Sequence, residues 1–238
     1  MSKTRRSKKQ KPVVLHPQET MVISQAALNA LSLGYDFEHR TIYIFGGIDQ
    51  MAAYRFVTGF KWMDRFQGAI HIILNSGGGS VEDSFAMYDT IRTAENPVIV
   101  EGLGMIASAA VPILQAGTIR ILNPEATVMI HDVSYDIEGR LSSPVVGALA
   151  KEAQEINQRY YEILANRSGQ SIKDVKEWCR EETSFGATEA VEKGFADEVL
   201  PVRVLPRTAN EAMREIQGLT NPERLPVEKT EKRIKGKK

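Results

Sequence analysis

The chain of 238 residues has one cysteine, Cys179. A lone thiol excludes an internal disulfide framework and any cysteine-built metal cluster within one chain. Histidine is sparse as well. His16, His39, His71 and His131 are scattered, with no HxH or HxxxH pair, so no metal site is expected. Long apolar runs are missing. The longest apolar-leaning stretch, Met105 to Ala116, contains Pro112 and falls short of the roughly 20 residues a membrane span requires. The charged start is not followed by an apolar signal-type region, so a cytoplasmic protein without membrane contact is expected. Net charge is absent too, since 30 Lys and Arg balance 30 Asp and Glu.

That balance is uneven along the chain. Residues 1–12 carry Lys3, Arg5, Arg6, Lys8, Lys9 and Lys11 with no acid, and the last seven residues carry Lys232, Arg233, Lys235, Lys237 and Lys238. Such tails are expected to be solvated and disordered. No aromatic residue interleaves with the basic ones, which removes the stacking mode for single strands, and nucleic acid is not an expected partner. The expected organisation is a basic tail over 1–20, one folded domain over 21–204, and a charged, largely disordered extension over 205–238.

Inside the domain, strand and helix signals alternate, which predicts an α/β class. Residues 21–33 read as a short helix, Thr41–Phe45 as a strand, and Asp49 as the N-cap of a helix reaching about Arg65. A buried strand, Ala69–Leu74, leads into Asn75-Ser76-Gly77-Gly78-Gly79, and a helix over Val81–Thr93 follows. Pro97–Val100 reads as another strand. The small-residue segment from Gly104 to Gly117 reads as a tight turn entering a buried helix. Thr118–Leu122 and Thr127–Ile130 are short strands. A long amphipathic helix spans Pro144 to about Asn166, with Val145, Leu149, Ile156, Tyr160, Ile163 and Leu164 on one stripe. Gly169 marks its C-cap, Ser171 caps a further helix, Ala187–Lys193 is a short helix, and Glu198–Val204 is a last strand. The glycine run 77–79 lacks dinucleotide-binding spacing and a phosphate-loop lysine, so no cofactor is expected.

Three segments carry candidate chemistry. Ser108 lies among small residues at a helix start, where a substrate backbone can approach and the helix N-terminus favours negative charge. His131 ends an apolar strand. The Gly77–Gly79 loop offers free backbone N–H groups in a nest-like turn. Taken singly, each has a plain structural explanation: a packing serine, a satisfied core histidine, a turn. Serine hydrolysis needs all three at once, as nucleophile, base and oxyanion donors.

Together the segments resemble the proteolytic subunits of the Clp protease family. That family carries Asn-Ser-Pro-Gly-Gly, then Gly-x-Ala-Ala-Ser-Met-Gly, then Val-Met-Ile-His. Here they stand as Asn75-Ser76-Gly77-Gly78-Gly79, Gly104-Met105-Ile106-Ala107-Ser108-Ala109-Ala110 and Val128-Met129-Ile130-His131. Tyr88-Asp89-Thr90 matches between the first two. The segment Thr188 to Asp197 resembles the family's Glu-Ala-x-x-x-Gly-Leu-Ile-Asp signature. The resemblance covers roughly residues 36–200, in order and almost without gaps.

The resemblance implies a spiral of repeated ββα units with the long helix as a protruding handle that interlocks two rings. It implies a serine endopeptidase with Ser108 as nucleophile, His131 as base, and the N–H groups of Gly79 and Ala109 as the oxyanion hole. It also implies protein or peptide substrates and a homo-oligomer of two stacked seven-membered rings, a tetradecamer. An ATP-driven unfoldase ring of the AAA+ type feeds such barrels, but residues 1–35 do not match the family's axial-loop sequence. Some viral Clp-like proteases trim capsid scaffolds without an unfoldase, a setting that basic tails would suit. Alignment without gaps sets Glu182 where the family has its triad Asp, with Glu181 and Asp132 as weaker candidates. Gly77 replaces the loop proline, and Ala109 the methionine after the serine.

Two other readings compete. A catalytically inactive ring subunit would be favoured by the Asp-to-Glu change, but such relatives lose the serine or histidine, and both are present. A crotonase-type acyl-CoA enzyme of the same superfold would keep the oxyanion hole without the serine nucleophile.

Overall fold

The computed structural model describes residues 25–135 and 139–202. The tail expected over 1–20 and the extension over 205–238 lie outside the described residues. The last expected strand, Glu198–Val204, is strand only over Glu198–Val199: residues 200–202 leave the ladder after the Leu122 pairing, and residues 203–204 lie outside the described residues. The described architecture belongs to the first of two units, Met1–Val199; of the second, Leu200–Lys238, only residues 200–202 are described.

Eight strands and seven helices alternate along the described chain. They are α1 (Gln25–Ser32), β1 (Tyr35–Asp36), β2 (Thr41–Ile48), α2 (Gln50–Met63), β3 (Ile70–Gly79), α3 (Val81–Arg92), β4 (Val98–Ala107), α4 (Ala110–Ala116), β5 (Ile119–Leu122), β6 (Thr127–Ile130), α5 (Ser143–Ser168), α6 (Ile172–Arg180), β7 (Thr183–Gly186), α7 (Ala187–Glu192) and β8 (Glu198–Val199). The sheet runs β1-β2-β3-β4-β5-β8, and β6 pairs with both β4 and β7. β1 on β2 and β7 on β6 are antiparallel; the other pairs are parallel. The expected α/β class is what the chain adopts.

One face of this sheet is covered by helices. Ile70, Ile72 and Leu74 of β3 are fully buried, and their alternate neighbours His71, Ile73 and Asn75 only partly so. Phe56, Phe60 and Met63 of α2 and Met87 of α3 pack into the same core, and all seven residues of α4 are buried. Asp49 is the N-cap of α2, its carboxylate accepting from Ala52 N–H at 2.7 Å.

Two strands run further than their sequences suggest. β3 continues through the glycine run read as a turn, and β4 continues through Gly104 to Ala107, where the sequence reads as a helix entrance. Each carries a register shift instead of a stop. β2 slips between Phe45 and Gly47 against β3, and β3 slips between Leu74 and Ser76 against β4. Glycine makes this affordable, since Gly46, Gly78, Gly79 and Gly104 all sit at positive φ. β4 also changes partner midway. Residues 99–102 pair with β5 and residues 105–107 with β6.

The long helix α5 has 26 residues, about 39 Å at 1.5 Å per residue. Its buried residues, Ile156, Tyr160, Tyr161, Leu164 and Ala165, all lie in its second half. Val145 and Val146 are about half exposed, so the expected stripe is covered only where the helix meets the body. Gly169 ends it in the left-handed conformation.

A polar lock closes the far edge of the sheet. Arg120 in β5 is buried and holds Asp197 through Nη2 to Oδ1 at 2.6 Å and Nε to Oδ2 at 3.2 Å. The same guanidinium donates to Gln115 Oε1 and to the Gly194 carbonyl, and Gln115 donates to the Phe195 carbonyl. Burial raises the Asp197 pKa, but the hydrogen bonds and charge of Arg120 outweigh it, and the carboxyl sits below its ordinary value. Stability from this depressed group is present above the unfolded carboxylate pKa of about 3.9 and is lost as pH falls through the lower folded value. Acid unfolding of the wild type is therefore expected to steepen below pH ~4, and Asp197→Asn to lose that portion of the pH dependence. Arg120→Met should cost about 2–4 kcal/mol by stripping Asp197 of its charged partner and Gln115 Oε1 of its donor, measured by denaturant unfolding.

Candidate functional site

Ser108 follows the last residue of β4 and precedes α4 by one residue. Its backbone is left-handed, φ 54, in a residue with a side chain. That conformation costs on the order of 1 kcal/mol and persists only where the surroundings enforce it. Here they do. Ser108 N–H donates to the Met129 carbonyl at 2.9 Å, while its own carbonyl accepts from Val111 N–H at 3.0 Å and from the Tyr160 hydroxyl at 3.0 Å. The side chain is half-buried at the sheet edge.

β6 brings His131 alongside. Ala107 of β4 registers with Met129 of β6, so His131 stands one step past the position beside Ser108. The antiparallel partner β7 brings Glu182. Ile130 pairs with Thr183, the first residue of β7, so Glu182 and His131 each lie one residue beyond the end of the ladder. Glu182 is exposed and left-handed, φ 52, which ends the strand there. The Cys179 carbonyl ties the two segments together, accepting from Asp132 N–H and from Glu182 N–H, each at 3.2 Å. Among the described residues no hydrogen bond joins Ser108 to His131 or His131 to Glu182.

The other two acidic candidates are placed elsewhere. Asp132 turns to α5 and accepts a short hydrogen bond from the Tyr161 hydroxyl. Val133 N–H is taken by Asn157 Oδ1 at 2.8 Å, so the segment after His131 is fastened to the same helix turn. Glu181 is exposed and caps the C-terminus of α6.

The glycine strand completes the site from β3. A Cβ on Gly78 would lie 2.8 Å from Ser108 Cβ, 2.8 Å from the Ala107 carbonyl oxygen and 2.9 Å from Ala109 N, so only glycine fits against the serine turn. Ser76 supports this strand, accepting from Gly78 N–H and donating to the Gly46 carbonyl. Ser80 N–H donates to the Ile48 carbonyl at 2.8 Å. Gly79 lies against β2, where a Cβ would collide with the Ile48 carbonyl oxygen, so Gly78 and not Gly79 makes the close contact with the serine turn. Ala109 N–H has no acceptor among the described residues.

Several of these partners are not legible as site residues in the sequence. Tyr160 reads as one member of an apolar stripe, Tyr161 as outside it, and Ser84 as an ordinary helix position. A tyrosine on an otherwise aliphatic stripe is the available signal, because a buried phenol needs a hydrogen-bond partner. Burial raises both phenols above their ordinary pKa, with the hydrogen bond to Asp132 adding to the shift at Tyr161.

This is a mixed α/β fold with a bent sheet, a helix-backed core and one long projecting helix. The sequence profile of the family described as Clp protease matches residues 28–203. The chain belongs to that family. It is 32% identical over 132 residues to ATP-dependent Clp protease proteolytic subunit 2 of Tropheryma whipplei (strain Twist), an alignment covering 55% of this chain and 72% of that protein. It is 31% identical over 134 residues to proteolytic subunit 3 of Streptomyces avermitilis, covering 56% of this chain but only 60% of that relative. A solved structure of a ClpP1 mutant from Listeria monocytogenes superimposes with a TM-score of 0.64 at 26% identity, over 70% of this chain and 94% of that one. The fold expected from the resemblance is thereby established, and α5 is consistent with the handle.

Two outcomes test this geometry. Gly78→Ala should destabilise the fold by about 2–4 kcal/mol, through positive-φ strain and overpacking on the serine turn, read as a lowered melting temperature. Burial, reinforced by the Asp132 charge, pushes the Cys179 thiol up to about 12. Iodoacetamide at pH 8 should leave Cys179 unmodified in the native protein and alkylate it after denaturation.

Proposed function

We propose that this chain is an active serine endopeptidase of the Clp type, working as a homo-oligomeric barrel on protein or peptide substrates. Ser108 attacks the scissile carbonyl and His131 takes its proton, then returns it to the leaving amine. The tetrahedral oxyanion is received by Ala109 N–H and Gly79 N–H. Glu182, from the turn before β7, orients the imidazole. The carrying observation is the left-handed Ser108 turn, with Ala109 N–H unclaimed and His131 one step past the neighbouring strand position. A strained serine between a strand end and a helix start presents its hydroxyl at the sheet edge, and the small buried neighbours Ala107, Ala109 and Gly78 let the turn pack close against β3.

Glutamate is one methylene longer than the aspartate of the family pattern. The left-handed backbone at Glu182, φ 52, is consistent with a turn that carries a longer acidic side chain. Substrate binding then closes the Ser108–His131 and His131–Glu182 bonds, which are often loose in unliganded sites. A water, deprotonated by His131, then attacks the acyl-serine, and the imidazolium returns the proton to Ser108 as the acid product leaves. Two stacked seven-membered rings, joined through the exposed half of α5, are the assembly we propose.

The open hydrogen bonds also favour a second reading, a ring subunit without activity. Labelling with a fluorophosphonate and peptide mapping separates the two. Label on Ser108 in the assembled protein supports the protease. An assembled sample that takes no label supports the inactive subunit. Ser108→Ala should lower peptidase turnover by about 10³-fold or more. Glu182→Gln should reduce turnover strongly with assembly intact, and an unchanged rate would remove Glu182 from the mechanism.

A further inference from the structure

The residue after the serine is flanked by two peptide groups, and a buried side-chain hydroxyl holds each carbonyl. The Ser108 carbonyl accepts from the Tyr160 hydroxyl at 3.0 Å, reaching in from α5. The Ala109 carbonyl accepts a short hydrogen bond from the Ser84 hydroxyl, reaching in from α3. Tyr160 is 2% exposed and Ser84 fully buried, so water cannot replace either donor.

A trans peptide is planar, so its C=O and N–H point in opposite directions. The Ser108 carbonyl and the Ala109 N–H belong to one such group. Whatever fixes the carbonyl towards α5 therefore aims the N–H the other way, towards the β3 glycines. Gly78 lies on that side, since a Cβ there would come within 2.9 Å of Ala109 N. Val111 N–H holds the same carbonyl, but it belongs to the turn itself and would move with it. The Ser108 N–H bond to Met129 holds the peptide before the serine, while Tyr160 and Ser84, from two helices outside the turn, tie the two peptide groups on either side of Ala109 to the body of the domain.

We infer that Tyr160 and Ser84 are positioning residues that aim the Ala109 N–H at the oxyanion. They touch no substrate atom and act through the peptide groups on either side of Ala109. The inference rests on the proposed protease reading, which fluorophosphonate labelling of the wild type decides by itself.

The test uses the full-length assembled protein and a fluorogenic peptide, with a peptide aldehyde as inhibitor. The aldehyde forms a hemiacetal on the serine whose oxygen occupies the oxyanion position. Tyr160→Phe keeps the ring and removes only the hydroxyl. It should lower kcat about tenfold to a hundredfold, leave KM within about twofold, and weaken aldehyde inhibition in proportion to the loss in kcat. A looser fold would not produce that proportionality. Wild-type kcat in Tyr160→Phe would overturn the inference. So would a fall in kcat with aldehyde affinity retained. If Tyr160→Phe does not assemble, Ser84→Ala provides the same test from the other side of Ala109. The same paired loss in kcat and aldehyde affinity supports the inference, and wild-type values for both overturn it. A labelled wild type with either overturning result rejects the positioning role while leaving the protease reading in place.

Discussion

The hydrogen bond from Ser108 N–H to the Met129 carbonyl joins two strand ends on which the rest of the site depends. β4 reaches that point only because it leaves β5 after Gly102 and takes β6 as its new partner from Met105. The exchange brings a serine and a histidine 23 residues apart in sequence to the same edge. It also fixes the strained turn, because the serine amide is committed to the ladder and its carbonyl to α5 and Val111. Ala109 N–H, in the same turn, is buried beside Gly78 and has no acceptor among the described residues.

The bend that makes this possible is spread over three strands. β2, β3 and β4 all run past the point where a simple parallel sheet would end, and glycine absorbs the change at each one. The close approach of Gly78 to the serine turn is part of the same geometry. On the opposite side, Arg120 and Asp197 fasten β5 to the segment before β8, so the strand that β4 leaves behind stays in place. The site is therefore an edge of the sheet held from two directions, by glycine packing in front and by helix hydroxyls behind.

Much of this was legible in the sequence, and the parts that were not share a cause. Asp49 as an N-cap, β6 at its full extent, and the long helix ending at Gly169 follow from local chemistry: a capping carboxylate, an apolar run, a left-handed glycine. The strand extensions of β3 and β4 did not, because runs of glycine read as turns when considered alone. β7 was hidden too, since Thr183-Ser184-Phe185-Gly186 is short and mostly polar, and becomes a strand by pairing with β6. Ser108 and His131 stood out through their motifs. Tyr160, Tyr161, Asn157 and Ser84 could not, because a hydroxyl or an amide on a helix has no sequence mark of the peptide group it will reach.

The sequence by itself determined the family, the α/β class, the position of the serine and histidine segments and the long amphipathic helix. These are encoded in local pattern and in motif order along the chain. Only the tertiary structure decided that Gly78 packs on the serine turn, that Asp132 belongs to Tyr161, that β7 pairs with β6 as far as Thr183 opposite Ile130, and that two distant helices hold the carbonyls around Ala109. Each of these is a contact between segments far apart in sequence. Such contacts depend on strand register and helix placement, which are set by the packing of the whole core and not by any one segment.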